Sequence, residues 1–462
     1  MNHFSQTSPA SNPLNVDVVI IGAGISGINV AYYLQTNGPP GLSYAILEAR
    51  SNLGGTWDLF RYPGVRSDSD IHTFRFGWNP WVRETEAPLA PGGDILEYLK
   101  ESSRMHRIDK HIVFNRRVES ADWDSQHCLW NLDVAVADAC GRREVVQCRF
   151  MVLATGYYDY DEPLDAYILG LELFDGTVVH LQFWPSNLTY DSIEMLIIGS
   201  GATAVTLLPS VADRAKHVTM LQRSPTYILP LPMQDRILRV LRALFPSSLA
   251  ATINRLRFAV FGYLQFLLCR LFSNAARWAF KRIVTKQLPS NVKWDPHFNP
   301  RYNPWDQRLC ACPDGDFYAA IRSGKASVNT GVIQEITRDE IRLESGGVLH
   351  PDIIVTATGL KVRFAGAIKL SVDGGAIDPS KKFIWRGTMQ LRRKNASYAV
   401  PRLENPESMP RRPLFELPST YARNASRIFP VGGVGHWSKN RNYLLDILRA
   451  SFGDISSGLE MH

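Results

Sequence analysis

The chain has 462 residues, of which 45% are hydrophobic and 21% charged, and its formal net charge is +7. This composition excludes a disordered or fibrous chain, and the length predicts two or three domains. No long Lys/Arg run accompanies the mild basicity, so no nucleic-acid partner is expected. The six cysteines include no C-x-x-C pair or zinc spacing, so no metal site is expected. Reduced cysteines and a polar N-terminus without a signal peptide favour a cytoplasmic location.

The first predicted unit is a β-α-β motif. The run VDVVIIGAG predicts a strand, residues 28–36 predict a helix, and LSYAILEAR predicts a second strand that ends near Glu48. In the turn between strand and helix, Gly22 permits a tight turn, Gly24 lets the backbone approach a pyrophosphate, and Gly27 permits close helix–strand packing. Glu48 is placed to accept hydrogen bonds from the ribose hydroxyls of a dinucleotide. The alternative is a glycine-rich turn without a ligand.

A second unit of the same kind begins at Met195. MLIIGSG predicts a strand, ATAVTLLPSVADRA a helix and VTMLQRS the partner strand, which ends in a cation instead of a carboxylate. A cation at the ribose-reading position suits a 2′-phosphate, so this site is predicted to bind NADPH and the first to bind FAD. An ordinary surface arginine is the alternative. The candidate residues are Gly199, Gly201, Thr203, Ala204, Arg223 and Ser224.

The order of these units predicts an α/β fold with two Rossmann-like dinucleotide-binding domains, the second inserted in the first. The runs RFMVLATGY and DIIVTATGL both end in Ala-Thr-Gly, which favours chain crossings between the domains at these points. Residues 235–290 mix Leu and Phe with Arg at helical spacing, which predicts a helical insert that packs on the protein or contacts a membrane surface. The expected boundaries are 1–160 and 351–462 for the FAD domain, 161–234 and 293–350 for the NADP domain, and 235–292 for the insert.

Three further segments carry recognisable patterns: Asn52–Trp57, Arg61–Asp68 and Phe174–Pro185. The first two resemble the FAD domain of the flavin-containing monooxygenase superfamily. The third matches F-x-G-x-x-x-H-x-x-x-W-P, which resembles the fingerprint of its Baeyer–Villiger members, a family of class B flavoprotein monooxygenases. The resemblance implies an FAD site with Gly55, Thr56, Trp57, Tyr62 and Asp68, and a domain-linker fingerprint with Phe174, Gly176, His180, Trp184 and Pro185. His180 is interpreted as orienting the linker more than as taking part in chemistry.

The segment His297–Cys310 resembles the region that holds the family's active-site arginine. The resemblance assigns that role to Arg308, oriented by Asp68, and a surface ion pair is the alternative for Arg308. A fixed guanidinium stabilises a peroxyanion and then the oxyanion of a tetrahedral adduct. The resemblance therefore implies that NADPH, FAD and O2 convert a ketone to an ester or lactone through a C4a-peroxyflavin. An aryl or polyketide-derived ketone of secondary metabolism is expected.

The resemblance is interrupted at residues 390–399, which are mostly polar and basic. At this point the family continues with a strand, a turn beside the flavin and a long helix. A splicing or intron error in the sequence, a genuinely shortened enzyme and a catalytically impaired flavoprotein are the three explanations. For an active enzyme, oxidation of a nitrogen or sulfur nucleophile is the alternative reaction.

Overall fold

The structure, a computed structural model, describes residues 14–81, 87–138, 140–307, 309–385, 399–403, 407–415, 420–438 and 459–461. Arg308 and, except for Ala399, the altered segment 390–399 lie outside these residues. Within them, two separate sheets each contain a strand that runs into one of the glycine-rich turns. This arrangement confirms the predicted α/β architecture with two Rossmann-like units.

The first sheet contains eight strands among the described residues, in the order β18-β17-β4-β5-β6-β1-β2-β3. The strands β3, β2, β1 and β6 run parallel, whereas β4, β5 and β6 form an antiparallel meander. The strands are β1 (Leu14–Ile21), β2 (Tyr44–Leu47), β3 (Ile112–Val113), β4 (Arg116–Asp124), β5 (Leu129–Val136), β6 (Arg143–Leu153), β17 (Lys369–Val372) and β18 (Gly375–Ala376). The helices between them are α1 (Ile25–Asn37), α2 (Thr56–Leu59), α3 (Ile71–Phe74) and α4 (Gly92–Met105).

The central strand β1 is covered on both faces, which explains its continuous apolar sequence. Val18 and Ile20 pack with residues of α1 and α4, whereas Val19 and Ile21 pack with the β4–β6 meander. Helix α1 begins at Ile25, three residues earlier than predicted, because the preceding glycine is extended and forms the N-cap.

The second sheet contains five described strands in the order β12-β9-β8-β16-β7, and all of its pairs are parallel. The strands are β7 (Thr177–His180), β8 (Glu194–Ile198), β9 (His217–Gln222), β12 (Ala326–Thr330) and β16 (Ile353–Thr356), and α5 (Ala202–Ala212) and α9 (Asp316–Arg322) pack on the sheet. The boundary expected at 350/351 assigns β16 to the first domain. The register of β16 with both β8 and β7 instead places it in the second sheet, so this unit extends to Thr356.

The helical insert consists of α6 (Arg236–Leu244), α7 (Ser247–Leu271) and α8 (Ser273–Thr285). It connects β10 (Tyr227–Leu231) to β11 (Leu309–Pro313), which pair in parallel. No single helix of the described chain is long and apolar enough to cross a membrane, but α7 and α8, bent by 111°, together meet that length and composition. The remaining elements are β13 (Ile333–Ile336), β14 (Ile341–Leu343), β15 (Val348–Leu349), β19 (Ala399–Pro401), β20 (Arg412–Pro413), α10 (Thr420–Ile428), β21 (Val431–Gly432) and β22 (Leu459–Met461).

The chain passes from the first sheet to the second after β6 and returns after β16, at the two Ala-Thr-Gly sequences. The two crossing segments bind each other. The backbone N–H of Asp159 donates to the carbonyl of Lys361 over 2.8 Å, and that of Arg363 donates to the carbonyl of Tyr157 over 2.9 Å. The fully buried carboxylate of Asp159 also pairs with Arg363 at 2.7 Å and with Lys361 at 3.3 Å. The two connections are therefore one hydrogen-bonded ribbon.

Candidate cofactor-binding and active site

The first glycine-rich turn has the backbone geometry that its sequence predicts. Gly22 has a φ of +107°, and an added Cβ would lie 2.5 Å from the carbonyl oxygen of Ala154. An added Cβ on Gly27 would lie 2.0 Å from the carbonyl oxygen of Gly22, so helix and turn touch there. Gly24 differs, because its added Cβ would meet no atom closer than 3.8 Å, the Cα of Gly55. Protein contacts therefore require the first and third glycines, whereas the second faces open space.

Glu48 directly follows β2 and is buried beneath this turn. The backbone N–H of Ala23 donates to its Oε2 over 2.8 Å, and the backbone N–H of Arg50 donates to its Oε1 over 3.0 Å. These two bonds fix the carboxylate beside the turn. Each oxygen keeps a second lone pair, which can accept a hydrogen bond from a ribose hydroxyl.

A cavity of about 470 Å³ opens beside the turn. Its wall includes the N-terminus of α1, which attracts negative charge, and the carboxylate of Glu48. Four arginines also line it: Arg50, Arg116, Arg117 and Arg363. This combination fits a dinucleotide, whose pyrophosphate needs the helix end and whose ribose needs the carboxylate. The predicted residues that line the cavity are Gly22, Gly24, Glu48, Gly55, Thr56 and Trp57.

Sequence reasoning missed three other parts of the cavity wall. They are the start of β4 (116–118), the first crossing (154–161), and a turn of the second crossing that includes Gly366. In the first crossing, the hydroxyl of Tyr160 lies 2.9 Å from Oγ1 of Thr56. The Ala-Thr-Gly endings were the available signal, because ligands bind beyond the carboxyl ends of parallel strands.

A buried carboxylate that the sequence patterns did not single out supports this wall. Asp58 is 4% exposed and forms ion pairs with Arg50 and, at 2.7 Å, with Arg61. Arg50 also donates to the carbonyl of Gly55 over 3.2 Å. Asp58 therefore holds the Asn52–Trp57 segment against the end of β2.

The second glycine-rich turn repeats the first. Gly199 has a φ of +146°, and an added Cβ would lie 2.3 Å from the carbonyl oxygen of Ala357. Gly22 is in the same situation at the other crossing, where the nearest atom is the carbonyl oxygen of Ala154. The hydroxyl of Ser200 donates to the carbonyl of Ser224 over 3.0 Å. Arg223 lies just beyond the end of β9 and is exposed. Its guanidinium is therefore accessible to a phosphate at the position that the sequence predicts.

Gly201 is the extended N-cap of α5, and Ala204 is completely buried in the core beneath the sheet. Thr203 lies in the first turn of α5, and Tyr62 packs on the same core. Tyr62 does not line the first cavity, although it was predicted to contribute to the FAD site. Burial, followed by the nearby charge of Asp68, raises the pKa of Tyr62 to about 12, so its hydroxyl stays protonated.

The segment Arg61–Asp68 leaves the first unit and packs against the second. Gly64, with a φ of +75°, approaches α5 so closely that an added Cβ would lie 1.8 Å from Oγ of Ser210. The side chain of Arg66 is 10% exposed and pairs with Asp316 of α9 at 3.1 Å. This segment is therefore a contact between the two nucleotide-binding units.

Asp68 ends this segment, two residues after Arg66. The guanidinium of Arg66 donates to the carbonyl of Ala311 in β11 over 3.4 Å, so the segment contacts that strand. Arg308 immediately precedes β11 in the sequence. The fold therefore brings the segment that ends at Asp68 to the strand that the predicted catalytic arginine leads into.

The Phe174–Pro185 fingerprint forms the edge of the second sheet. Phe174 is buried, and an added Cβ on Gly176 would lie 2.5 Å from both its ring and the carbonyl oxygen of Asp352. Trp184 packs edge-on against Tyr190 at 6.1 Å between ring centroids. These residues do not line the described cavity.

His180 is the last residue of β7, and burial lowers its pKa. Its Nδ1 accepts a bond from the backbone N–H of Gln182 over 3.2 Å, whereas its Nε2 is buried without a hydrogen-bond partner among the described residues. The side chain of Gln182 donates to the carbonyl of Asp159 over 2.6 Å. The fingerprint is thus bound to the crossing ribbon, and Pro185 accepts a bond from Leu188 that closes the following turn.

Residues 20–85 match the family model of an NAD(P)-binding Rossmann-like domain. The FAD-containing monooxygenase EthA of Mycobacterium tuberculosis is 44% identical over 387 residues, which cover 84% of this chain and 78% of that protein. EthA of Mycolicibacterium smegmatis is 43% identical over 374 residues, with 81% and 75% covered. This chain belongs to the FAD-containing monooxygenases. The predicted oxidoreductase class and FAD cofactor are thereby confirmed.

Solved structures share the fold of this FAD-containing monooxygenase. Cyclohexanone monooxygenase from Rhodococcus sp. Phi1 bound to NADP+ superposes with a TM-score of 0.68 at 19% identity, covering 97% of this chain and 99% of that one. Oxidized steroid monooxygenase bound to NADP gives a TM-score of 0.65 at 20% identity, with 81% and 78% covered. At these identities the likeness establishes a common fold.

Proposed function

We propose that this FAD-containing monooxygenase is of the Baeyer–Villiger type and uses NADPH and O2 to convert a ketone to an ester or lactone. The observation that carries the proposal is the contact of the Arg61–Asp68 segment with β11, the strand that follows Arg308. The Phe174–Pro185 fingerprint and the fold shared with cyclohexanone monooxygenase also support it.

Each nucleotide has its own site in this proposal. FAD would occupy the first cavity, where the N-terminus of α1 would hold the pyrophosphate and Glu48 would accept hydrogen bonds from the ribose hydroxyls. NADPH binds the turn at Gly199, and Arg223 pairs with its 2′-phosphate. When bound, FAD would supply the redox chemistry of the reaction, in which NADPH is the reductant and O2 the source of the transferred oxygen atom.

The residues of the chain supply electrostatics to the reaction. The guanidinium of Arg308 stabilises the negative charge that develops on the ketone oxygen during attack, and it stays charged at any working pH. Asp68 orients that guanidinium. The segment Arg61–Asp68 contacts the second nucleotide-binding unit through Gly64 and Arg66, so we infer that it delivers the carboxylate of Asp68 to the place where both cofactors would meet.

The proposal extends to the class of substrate and to the cellular location. An aryl or polyketide-derived ketone of secondary metabolism agrees with the family resemblance. We further propose that the enzyme works in the cytoplasm, in contact with a membrane surface through residues 235–290, whose helices carry many exposed apolar side chains.

The test is NADPH consumption with a panel of ketones, with the product identified by mass and hydrogen peroxide measured in the same reaction. An ester or lactone is expected. The variants Arg308→Ala and Asp68→Asn should retain flavin reduction and lose ester formation, by roughly a hundredfold or more for Arg308→Ala. Arg301→Ala is the matched control, because Arg301 is exposed in the same segment. An N-oxide or sulfoxide without ester, or peroxide alone, would contradict the proposal.

A further inference from the structure

The helical insert exposes an unusual amount of apolar surface. Of the 32 large hydrophobic side chains that are exposed in the described chain, 15 lie in the 50 residues of α6–α8. Scattered exposed apolar residues are normal, but a concentration of this kind marks an interaction surface.

On α7 these side chains form a continuous stripe. Leu256, Val260, Leu264, Leu268 and Leu271 follow one another at intervals of three or four residues, which places them on one face of the helix. They are between 49% and 72% exposed. At a rise of about 1.5 Å per residue, the stripe from Leu256 to Leu271 is about 22 Å long, which is more than half the length of α7.

The charge of the insert has a single sign. Residues 236–285 contain eight arginines and one lysine and no Asp or Glu, whereas the rest of the chain has 42 basic and 44 acidic residues. Exposed cations precede and follow the apolar stripe in the sequence, and they include Arg236 and Arg239 of α6 and Lys281 and Arg282 of α8. Guanidinium groups bind phosphate oxygens in pairs of hydrogen bonds, so a surface of this composition fits phosphate-bearing lipids.

The inner side of α7 is held against both segments that carry the predicted catalytic pair. The ring of Phe258 lies 5.0 Å from that of His72 in α3, which closely follows Asp68. Further along, Phe266 packs on Trp305 at 5.9 Å between ring centroids, and Trp305 precedes Arg308 by three residues. The helix that carries the apolar stripe therefore covers the region of the active site.

We propose that the insert binds the surface of an anionic bilayer, with the α7 stripe in the acyl boundary and its arginines at the lipid phosphates. Since α7 covers the active-site region, we infer that the substrate is a ketone dissolved in that bilayer, an extension that rests on the proposed Baeyer–Villiger function. A second copy of this chain is a poorer occupant, because two basic surfaces repel each other. The bend between α7 and α8 and the flanking arginines suit a helix pair that lies in the interface.

The first experiment measures sedimentation of the FAD-loaded protein with vesicles of phosphatidylcholine alone or mixed with an equal part of phosphatidylglycerol. Binding to the mixed vesicles, weakened by salt, is expected. The charge variant Lys281→Gln/Arg282→Gln should lower the partition coefficient roughly tenfold. The apolar variant Val260→Ser/Leu264→Ser/Leu268→Ser should reduce it by a similar factor or more.

The matched control is Tyr167→Ser/Leu169→Ser/Leu173→Ser, three exposed apolar residues outside the insert, which should bind vesicles like the parent. Bound flavin and an unchanged melting temperature verify that each variant is folded. The proposal is overturned if the parent stays in the supernatant at low salt. It is also overturned if the apolar variant binds lipid normally but converts a dimer to a monomer in light scattering.

The second experiment measures ketone oxygenation with and without mixed vesicles. For a long-chain methyl ketone, vesicles should lower the apparent KM of the parent severalfold and leave that of the apolar variant unchanged. For a short, water-soluble ketone, neither protein should respond. An equal response of parent and variant would overturn the substrate inference. Vesicle binding without any ketone oxygenation would refute the Baeyer–Villiger function alone, since sedimentation requires no turnover.

Discussion

The variant Gly24→Ala should separate cofactor binding from folding. An added Cβ at this position would meet no protein atom closer than 3.8 Å, and the φ of −80° suits alanine. The flavin-free protein should therefore fold normally. Its free energy of unfolding should stay the same or rise by about 0.4–1 kcal/mol, since alanine restricts the unfolded chain more than glycine does.

The same methyl group occupies the space through which a pyrophosphate approaches the turn. Overpacking of this kind costs about 1–3 kcal/mol, which corresponds to roughly a five- to 150-fold weaker affinity for FAD. The assay is titration of flavin-free protein with FAD, monitored by flavin fluorescence. In saturating FAD the variant should melt below the parent, because it loses part of the stabilisation that ligand binding provides.

Gly22→Ala is the informative comparison. There the φ of +107° is strained for alanine and the Cβ would lie 2.5 Å from a backbone oxygen, so the flavin-free protein should lose about 2–4 kcal/mol of stability. Gly93→Ala is the control, because an added Cβ meets nothing within 4 Å. The reasoning fails if Gly24→Ala binds FAD as tightly as the parent, or if it destabilises the flavin-free protein as much as Gly22→Ala does.

Three further predictions concern other parts of the molecule. Arg223→Ala should raise the KM for NADPH roughly tenfold and leave the KM for NADH unchanged in steady-state kinetics. An equal increase in both KM values would contradict the role of Arg223 in binding the 2′-phosphate. Burial lowers the pKa of His180, so below about pH 6.5 the unfolded chain binds a proton that the folded one resists. As the pH falls below that value, the free energy of unfolding should decrease. His180→Gln should make the free energy of unfolding, measured by urea denaturation, depend less on pH. Asp159→Ala leaves Arg363 without its buried partner and should cost about 2–4 kcal/mol in chemical denaturation, whereas the exposed Asp161→Asn should cost under about 1 kcal/mol.

The two glycine-rich turns and the residues beside them were predictable because their requirements are local. Gly22 and Gly199 need positive φ within a few residues of a buried strand, and Glu48 follows its strand directly. These features follow from sequence spacing alone. The assignment to the flavin-containing monooxygenases followed from motifs of the same kind.

What remained hidden depends on pairings between distant parts of the chain. The sequence around Tyr62 resembles an FAD-binding segment, yet its side chain packs on the core of the second sheet, which is built from a distant part of the chain. The placement of β16 in the second sheet follows from its register with β8 and β7, which no local pattern encodes. The cavity walls at 116–118 and Gly366 were missed for the same reason.

The double crossing also determines the order in which the two sheets can be completed during synthesis. The second sheet is built from strands between Thr177 and Thr356, so it can close once that stretch has left the ribosome. The first sheet can pair β1–β6 by then but cannot be completed, because β17, which pairs with β4, is synthesised only after the whole second sheet. Loop closure over such a distance is entropically opposed, and a finished domain between the partners shortens the effective loop. The domain that begins last is therefore completed first, and the flavin site matures last.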